Sequence, residues 1–306
     1  MDNLNQLLEN CRLCPHHCSV NRLAGERGYC GAGKAVKVAR ASLHHWEEPC
    51  LSGDRGSGTV FFSYCTMRCL FCQNALYHGD KGEEVFPEQL GRVFLALQEQ
   101  KAHNINLVTP SHYLPQIISA IRFARTNGLI LPVVYNTGGY DAVQSIERLK
   151  SDVSIFLPDF KYFDDRYAQA YSGVSDYFQY ASSSIEQMVK QTGPAQFDEN
   201  GIMLKGVIIR HLVLPGLVQD SKKVIAYLYK TFGDDVYISL MNQYTPIHPI
   251  QNHPELNKTI DPDDYNLLVD YALSLGVENG FIQEEGTVGE SFIPDFDSGI
   301  GTQGTE

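Results

Sequence analysis

The sequence predicts an α/β fold, a partial (β/α)6 TIM-like barrel with a small cysteine-rich module at its N-terminus. Three observations lead to it: strand-like and helix-like runs alternate from about residue 58 to residue 275, polar residues follow the strands, and the first 50 residues hold clustered cysteines with little apolar periodicity. Repeated strand–helix units imply right-handed crossovers and a parallel sheet that closes or partly closes. We predict a cysteine-rich metal-binding module over residues 1–50, a partial barrel over 51–290 and a disordered tail over 291–306.

The predicted elements follow one another with short connections. Residues 52–58, SGDRGSG, form a linker or turn, and GTVFFS then begins the barrel as a buried strand. The later strands are INLVT, LPVVYN, VSIFLPDF, GVIIRHLVL, VYISLM and a short GFIQ, and the helices lie near 87–101, 112–126, 142–150, the region up to about 191, 221–232 and 262–275. Together they make about six βα units.

Composition restricts the partners and the compartment. The chain has 306 residues, 43% of them hydrophobic, and a formal net charge of -12. Nucleic acid binding draws on clustered Lys and Arg, so we expect no nucleic acid partner. The sequence has neither an apolar run of about 18 residues nor the layout of a secretory signal, so we expect no membrane partner and a cytoplasmic location.

Polar residues gather where the predicted strands end. Asn136 follows the third strand, Asp159 and Lys161 follow the fourth, Arg210 lies late in the fifth, and Gln243 follows the sixth. In such barrels this face carries the chemistry. Arg210 lies within an apolar strand, where a guanidinium requires an anionic partner. The alternative for the Asn and Asp residues is a role in turns or helix caps.

The segment YCTMRCLFCQN places Cys65, Cys69 and Cys72 in the spacing CxxxCxxC directly after the first barrel strand. Three thiolates hold three irons of a cubane cluster, and the fourth iron stays open to a chelating ligand. The alternative is three structural or zinc-binding cysteines without a fourth partner. Phe71, the preceding strand and the following units agree with one architecture and favour the cluster.

This motif and the units after it resemble the radical S-adenosylmethionine (SAM) superfamily over about residues 57–285. The resemblance implies a [4Fe-4S] cluster that binds SAM through its methionine group and cleaves it reductively to a 5′-deoxyadenosyl radical. YNTGGYD, PDFKYFD and RHLVLPG resemble activating enzymes of the pyruvate formate-lyase type. HHWEEPCLSGDRGSGTVFFSYCTMRCLFCQN and CRLCPHHC resemble the activase-like iron-sulfur proteins, whose partners are often unassigned.

By this resemblance, Asn136, Asp159, Lys161 and Arg210 contact the cofactor, with Lys161 suited to pair the methionine carboxylate as a point charge. The enzyme is expected to abstract a hydrogen atom from a macromolecule, a glycyl-radical enzyme being one candidate partner. Flavodoxin or ferredoxin would supply the electron. The competing functions are a radical enzyme acting on a small molecule or a peptide, and a non-catalytic iron-sulfur protein that carries electrons or senses redox state.

The segment after the second strand departs from the superfamily. A Gly-Gly-Glu segment usually stands there, and this chain has VTPSHY, which lacks a carboxylate. Thr109 and Ser111 are therefore the candidate cofactor contacts at this place, and recognition of the amino group must differ in detail. The alternative for Ser111 is an N-cap of the following helix.

The N-terminal segment CRLCPHHCSVNRLAGERGYC supplies Cys11, Cys14, Cys18 and Cys30. Four thiolates suit zinc, a single iron or a second iron-sulfur cluster. A structural metal is favoured, because closed four-thiolate sites are commonly structural; reduced, unmetallated cysteines are the alternative. Cys50 stands outside both sets and is expected to be a small buried hydrophobe.

Overall fold

The computed structural model describes residues 4–74 and 79–283, so the tail predicted over 291–306 lies outside the described residues. The described strands are β1 Val36–His44, β2 Ser57–Phe62, β3 Glu83–Val85, β4 Ile105–Val108, β5 Val133–Thr137, β6 Ile155–Pro158, β7 Gln196–Phe197, β8 Met203–Leu212, β9 Tyr237–Met241 and β10 Gly280–Ile282. The described α-helices are α1 Gln6–Glu9, α2 Pro49–Ser52, α3 Pro87–Glu99, α4 Leu114–Thr126, α5 Val143–Arg148, α6 Asp165–Ser172, α7 Tyr177–Thr192, α8 Val218–Phe232 and α9 Pro262–Leu275.

The sheet confirms the predicted partial barrel. Its strands follow the order β10-β9-β8-β6-β5-β4-β2-β1-β3, and all neighbours from β2 to β10 in this order are parallel. Strands β2, β4, β5 and β6 are buried along their whole length, as a parallel sheet covered on both faces requires. Helices follow each of the six predicted barrel strands, so their carboxyl ends share one rim.

Strand β1 lies inside the segment predicted to be a cysteine-rich module. It pairs antiparallel with β2, from Val38 opposite Phe62 to His44 opposite Ser57, and β3 pairs with its other side. The sequence VKVARASLH hides a strand because Lys and Arg interrupt its apolar residues, although Val36 and Val38 are fully buried. The sheet therefore extends across residue 50, and the proposed division of the chain into domains there stays a prediction.

Helices α3 and α4 pack closely on one side of the sheet. Helix α3 starts at Pro87, a residue suited to a first helical position, and the Gln89 side chain accepts the N–H of Phe86 at 2.8 Å. Gly91 faces α4, where an added Cβ would lie 2.9 Å from the Ala120 carbonyl oxygen. The glycine therefore permits the two helices to approach. No helix in residues 4–74 and 79–283 is long and apolar enough to cross a bilayer.

We expect Gly91→Ala to destabilise the protein, although helix propensity alone would favour Ala by about 1 kcal/mol. The new Cβ would lie 2.6 Å from the Phe123 ring and close to helix backbone, so overpacking should lower the free energy of unfolding by about 1–3 kcal/mol. Urea unfolding measures the change. The control Arg92→Ala, on the exposed side of the same helix, should shift it by about 0.5 kcal/mol or less. A stabilised Gly91→Ala protein would contradict the close approach.

Candidate functional site

A cavity of about 860 Å³ extends from the carboxyl ends of the strands into the barrel. Its wall includes the three cysteines of the CxxxCxxC motif. The other predicted residues that line it are Thr109, Asn136, Asp159, Lys161, Arg210 and Gln243. Cavities of about 300–1,000 Å³ are typical for small-molecule and cofactor sites.

The loop that carries the cysteines is fixed by its backbone. The N–H groups of Arg68 and Leu70 donate to the carbonyls of Ser172 and Tyr171 at 3.1 and 2.8 Å, which attaches the loop to α6. Tyr64, directly before the first cysteine, has φ +68, in the left-handed region that a bulky residue rarely adopts. The chain thus turns sharply out of β2 and into the loop.

Donors already point at the cysteine sulfurs. The Cys65 Sγ accepts the N–H of Met67 at 3.3 Å, and the Cys69 Sγ accepts the hydroxyl of Ser172 at 3.0 Å. Burial, followed by the charge of Cys69, raises the pKa of Cys65 to about 12. Such a thiol keeps its proton at neutral pH unless a metal replaces it, and hydrogen bonds to sulfur are typical of cluster ligands. The donor set therefore fits a [4Fe-4S] cluster held by three thiolates.

A network centred on Arg210 occupies the interior beside these cysteines. The guanidinium donates to Asp159 Oδ1 at 3.1 Å, to Asn136 Oδ1 at 2.6 Å and to Glu47 Oε2 at 3.3 Å. Lys161 Nζ donates to the other oxygen of Asp159 at 2.5 Å. Burial alone would raise the pKa of Asp159, but the charges of Lys161 and Arg210 outweigh it and lower that pKa. The carboxylate is therefore ionised between two cations.

Lys161 links this network to the cluster cysteines. Its ammonium lies 5.7 Å from the centre of the Phe71 ring, in the loop between Cys69 and Cys72. Burial would lower the pKa of Lys161, but Asp159 and the cysteine charges raise it, so the side chain is cationic. The Tyr177 hydroxyl accepts the Lys161 backbone N–H and fixes the residue at the end of β6.

The two candidate residues of the segment VTPSHY lie in different surroundings. Thr109 lines the cavity with φ +59, a strained conformation for a β-branched residue, and its N–H donates to the Asn136 carbonyl at 2.8 Å. Ser111 does not line the cavity. A three-residue 3-10 turn carries it into the buried layer, where its hydroxyl lies 3.3 Å from that of Thr137. The N-cap predicted for Ser111 is wrong, because Pro110 and Tyr113 stand at the N-cap positions, and its contact with the cofactor stays a prediction.

Two acidic residues in the cavity wall were not singled out by sequence. Glu47 and Glu48 lie between β1 and α2, and the Asn106 amide donates to Glu47 at 2.9 Å. Burial raises the pKa of both carboxyls, while the charge of Arg210 opposes it. The sequence contained part of this information, because Arg210 required an anionic partner and WEEP supplies an acidic pair.

His211 faces away from the cavity. Its Nδ1 lies 2.7 Å from the Phe160 carbonyl oxygen and its Nε2 lies 2.9 Å from the Ser221 hydroxyl. Burial lowers the pKa of His211 to about 4. Neighbouring residues on a strand point to opposite faces. The Arg210 side chain therefore lies in the cavity wall, and the His211 side chain packs against α8.

The N-terminal cysteines lie beside the barrel and differ in burial. Cys11 and Cys14 are buried, and Cys18 and Cys30 are half-buried. In the described parts of the chain, no three His, Cys, Asp or Glu side chains are close enough to hold one metal ion. The zinc, single iron or second cluster predicted for these four cysteines stays a prediction. Cys50 is buried in the core, as expected.

The fold is that of radical SAM enzymes. The methylornithine synthase PylB is 14% identical, with 79% of this chain and 70% of that chain covered and a TM-score of 0.50. SuiB of Streptococcus suis, solved with its precursor peptide, is 12% identical, with 73% of this chain and 47% of that chain covered and a TM-score of 0.51. This chain thus spans about half the length of SuiB.

An uncharacterized protein of Methanocaldococcus jannaschii is 27% identical over 277 residues, which cover 87% of this chain and 75% of the relative. No family model matches the chain.

We expect the stability of the protein to fall as the pH drops from about 6.5 towards 4. His211 has a lower pKa in the folded state than its ordinary value of 6.5, so the unfolded state binds the proton first over this window. The loss from this residue alone should reach about 3 kcal/mol. Unfolding by urea across this pH range measures it.

His211→Gln should show a shallower pH dependence than the unchanged protein, whatever its absolute stability. His248→Gln, at an exposed position, is the matched control and should retain the full dependence. Equal slopes for the His211→Gln and unchanged proteins would show that His211 does not stay neutral in the folded state.

Proposed function

We propose that this protein is a radical SAM enzyme that cleaves SAM reductively and abstracts a hydrogen atom from a peptide or protein substrate. The observation that carries the proposal is the convergence of Cys65, Cys69 and Cys72 with the Arg210 network on one cavity. The shared fold supports it.

When bound, a [4Fe-4S] cluster supplies the electron that cleaves SAM to methionine and a 5′-deoxyadenosyl radical. The residues of the chain bind and orient SAM. Lys161, a buried cation beside the cluster loop, is suited to pair the methionine carboxylate, and Asp159 fixes the ammonium in place. Arg210 and Asn136 form the polar wall, with their hydrogen bonds already made before a ligand arrives.

Exposed apolar side chains at the cavity favour a macromolecular substrate. Trp46 and Ile282 line the cavity and are 60% and 50% exposed, and Leu70 in the cluster loop is 48% exposed. Such side chains around a site are typical of protein contacts. SuiB, with the same fold, binds a precursor peptide, which supports a peptide or protein substrate here. Activation of a glycyl-radical enzyme is one form of this function.

Two further proposals concern the surroundings of the enzyme. An electron donor such as flavodoxin or ferredoxin would reduce the cluster. The cytoplasm suits the reaction, because thiols stay reduced in that compartment and the proposed cluster is held by thiolates.

The first test is formation of 5′-deoxyadenosine. After anaerobic reconstitution, the protein with dithionite and SAM should form it, and the Cys65→Ala, Cys69→Ala, Cys72→Ala variant should form none. Cys50→Ala is the matched control, since Cys50 lies outside both cysteine sets, and should retain the activity. Chromatography quantifies the product.

Absence of product from protein with a loaded cluster would favour the electron carrier over the enzyme.

A further experiment tests the substrate class. Stimulation of product formation by the retained fraction of an ultrafiltered cell extract supports a macromolecule, and stimulation by the filtrate alone contradicts it.

Lys161→Met should weaken SAM binding about 10- to 100-fold, because a hydrogen bond to a charged group contributes about 1.5–3 kcal/mol. Equilibrium dialysis of SAM against the reconstituted variant measures this. Lys258→Met removes an exposed lysine and should leave binding unchanged. Iron content must be equal in all samples, and unaltered binding by Lys161→Met would exclude Lys161 from the SAM site.

A further inference from the structure

The N-terminal segment contains a buried cation that has no acidic partner among the described residues. The side chain of Arg22 is 1% exposed, and its Nε donates to the Gly33 carbonyl at 3.0 Å. Its other nitrogens donate to the carbonyls of Gly33 and His112. None of the ion pairs found in residues 4–74 and 79–283 includes Arg22. Carbonyl dipoles satisfy the N–H groups but leave the charge unbalanced, which is costly in a protein interior.

The cysteines are the available source of negative charge. Arg22 lies in the chain between Cys18 and Cys30, and its guanidinium donates to the carbonyl of Gly33, three residues after Cys30. Cys11 is hydrogen-bonded through its backbone to Ser19, the residue after Cys18, and the Cys18 Sγ accepts the N–H of Tyr29, the residue before Cys30, so the cysteine-bearing segments are neighbours. If all four were thiolates bound to a metal centre, that centre would be an anion beside Arg22.

The backbone around these cysteines is folded tightly. Cys11 and the segment after Cys18 are joined by two backbone hydrogen bonds of 2.9 and 3.0 Å. The Tyr29 N–H donates to the Cys18 Sγ at 3.3 Å. A Cβ at Gly28 would lie 2.7 Å from that sulfur, so only glycine fits there. An N–H directed at sulfur and a glycine that gives it room are features of a built thiolate site.

Four thiolates suit a zinc ion or an iron-sulfur cluster. Side chains of this segment contact residues beside Cys65, because His16 Nε2 lies 2.8 Å from the Thr66 carbonyl oxygen and Arg27 donates to the Tyr64 hydroxyl. A place beside the CxxxCxxC loop suits a centre that exchanges electrons, which favours the cluster over zinc.

We propose that Cys11, Cys14, Cys18 and Cys30 hold a second [4Fe-4S] cluster and that Arg22 is its buried counter-charge. All four irons then have protein ligands, so this centre does not bind SAM. It can accept one electron from dithionite, or from a low-potential donor protein in the cell. The charge of the cluster core then becomes more negative by one unit. The inference goes beyond the proposed function and does not depend on SAM cleavage.

This centre would adjoin the CxxxCxxC loop. The His16 Nε2 lies 2.8 Å from the Thr66 carbonyl oxygen, and Arg27 donates to the Tyr64 hydroxyl at 2.9 Å. A Cβ at Gly31, the residue after Cys30, would lie 3.2 Å from the Tyr64 ring. Gly31, next to Cys30, is therefore in contact with Tyr64, next to Cys65.

The test uses the full chain with Cys65→Ala, Cys69→Ala and Cys72→Ala, which can load only the N-terminal set. After anaerobic reconstitution it should hold about four irons and about four sulfides, and dithionite should produce about one electron spin per chain in electron paramagnetic resonance. The unchanged protein should hold about twice as much iron. Adding Cys14→Ser and Cys18→Ser should remove the iron and the signal.

One bound zinc, or no iron, in the chain with the triple substitution would overturn the second cluster. That outcome leaves 5′-deoxyadenosine formation by the unchanged protein unaffected, so the two proposals fail separately. In the same background, Arg22→Gln removes the charge and keeps a hydrogen-bond donor, whereas Arg22→Lys keeps the charge. We expect Arg22→Gln to shift the reduction potential to a lower value than Arg22→Lys; equal potentials would overturn the role of Arg22.

Discussion

The buried guanidinium of Arg210 is the constraint on which the interior of the barrel depends. Its acceptors come from distant parts of the chain: Asp159 after β6, Asn136 in β5 and Glu47 between β1 and α2. Removing one member of a buried ion pair typically costs about 3–5 kcal/mol. Each segment must therefore occupy its place for the others to be tolerated, and the N-terminal strand is tied to the barrel by charge as well as by pairing.

The strands of the barrel were predictable because their burial on both faces leaves continuous apolar runs in the sequence. INLV and IFLP are of this kind, and each forms a strand where expected. Strand β1 was not predictable in the same way. Lys37 and Arg40 interrupt it, and its pairing partner β2 follows only after the connection that contains Glu47 and α2. Its burial is decided by tertiary contacts, which local periodicity does not report.

The residues of the candidate site were likewise predictable from the sequence only in part. Spacing alone brings Cys65, Cys69 and Cys72 to one loop, and parallel topology alone brings Asp159 and Arg210 to one rim. The direction of a side chain within an irregular turn follows neither from spacing nor from sheet topology. Thr109 and Ser111 are two residues apart, yet only Thr109 reaches the cavity, because a 3-10 turn begins at Ser111. Sequence identified the segment, and the turn geometry determines which of its residues lines the cavity.

The two cysteine sets differ in how the nearby cations are balanced, and the difference fits their proposed occupants. Beside the CxxxCxxC loop, Lys161 and Arg210 are already paired with Asp159 and Glu47, so each of the two cations has an acidic partner before a ligand is bound. A site for an exchangeable ligand must meet that condition, because it is empty in every catalytic cycle. Among the residues that the structure describes, Arg22 has carbonyl acceptors but no acid. A cation left in that state is tolerable only beside an anion that never leaves, and a cluster bound by four thiolates is such an anion.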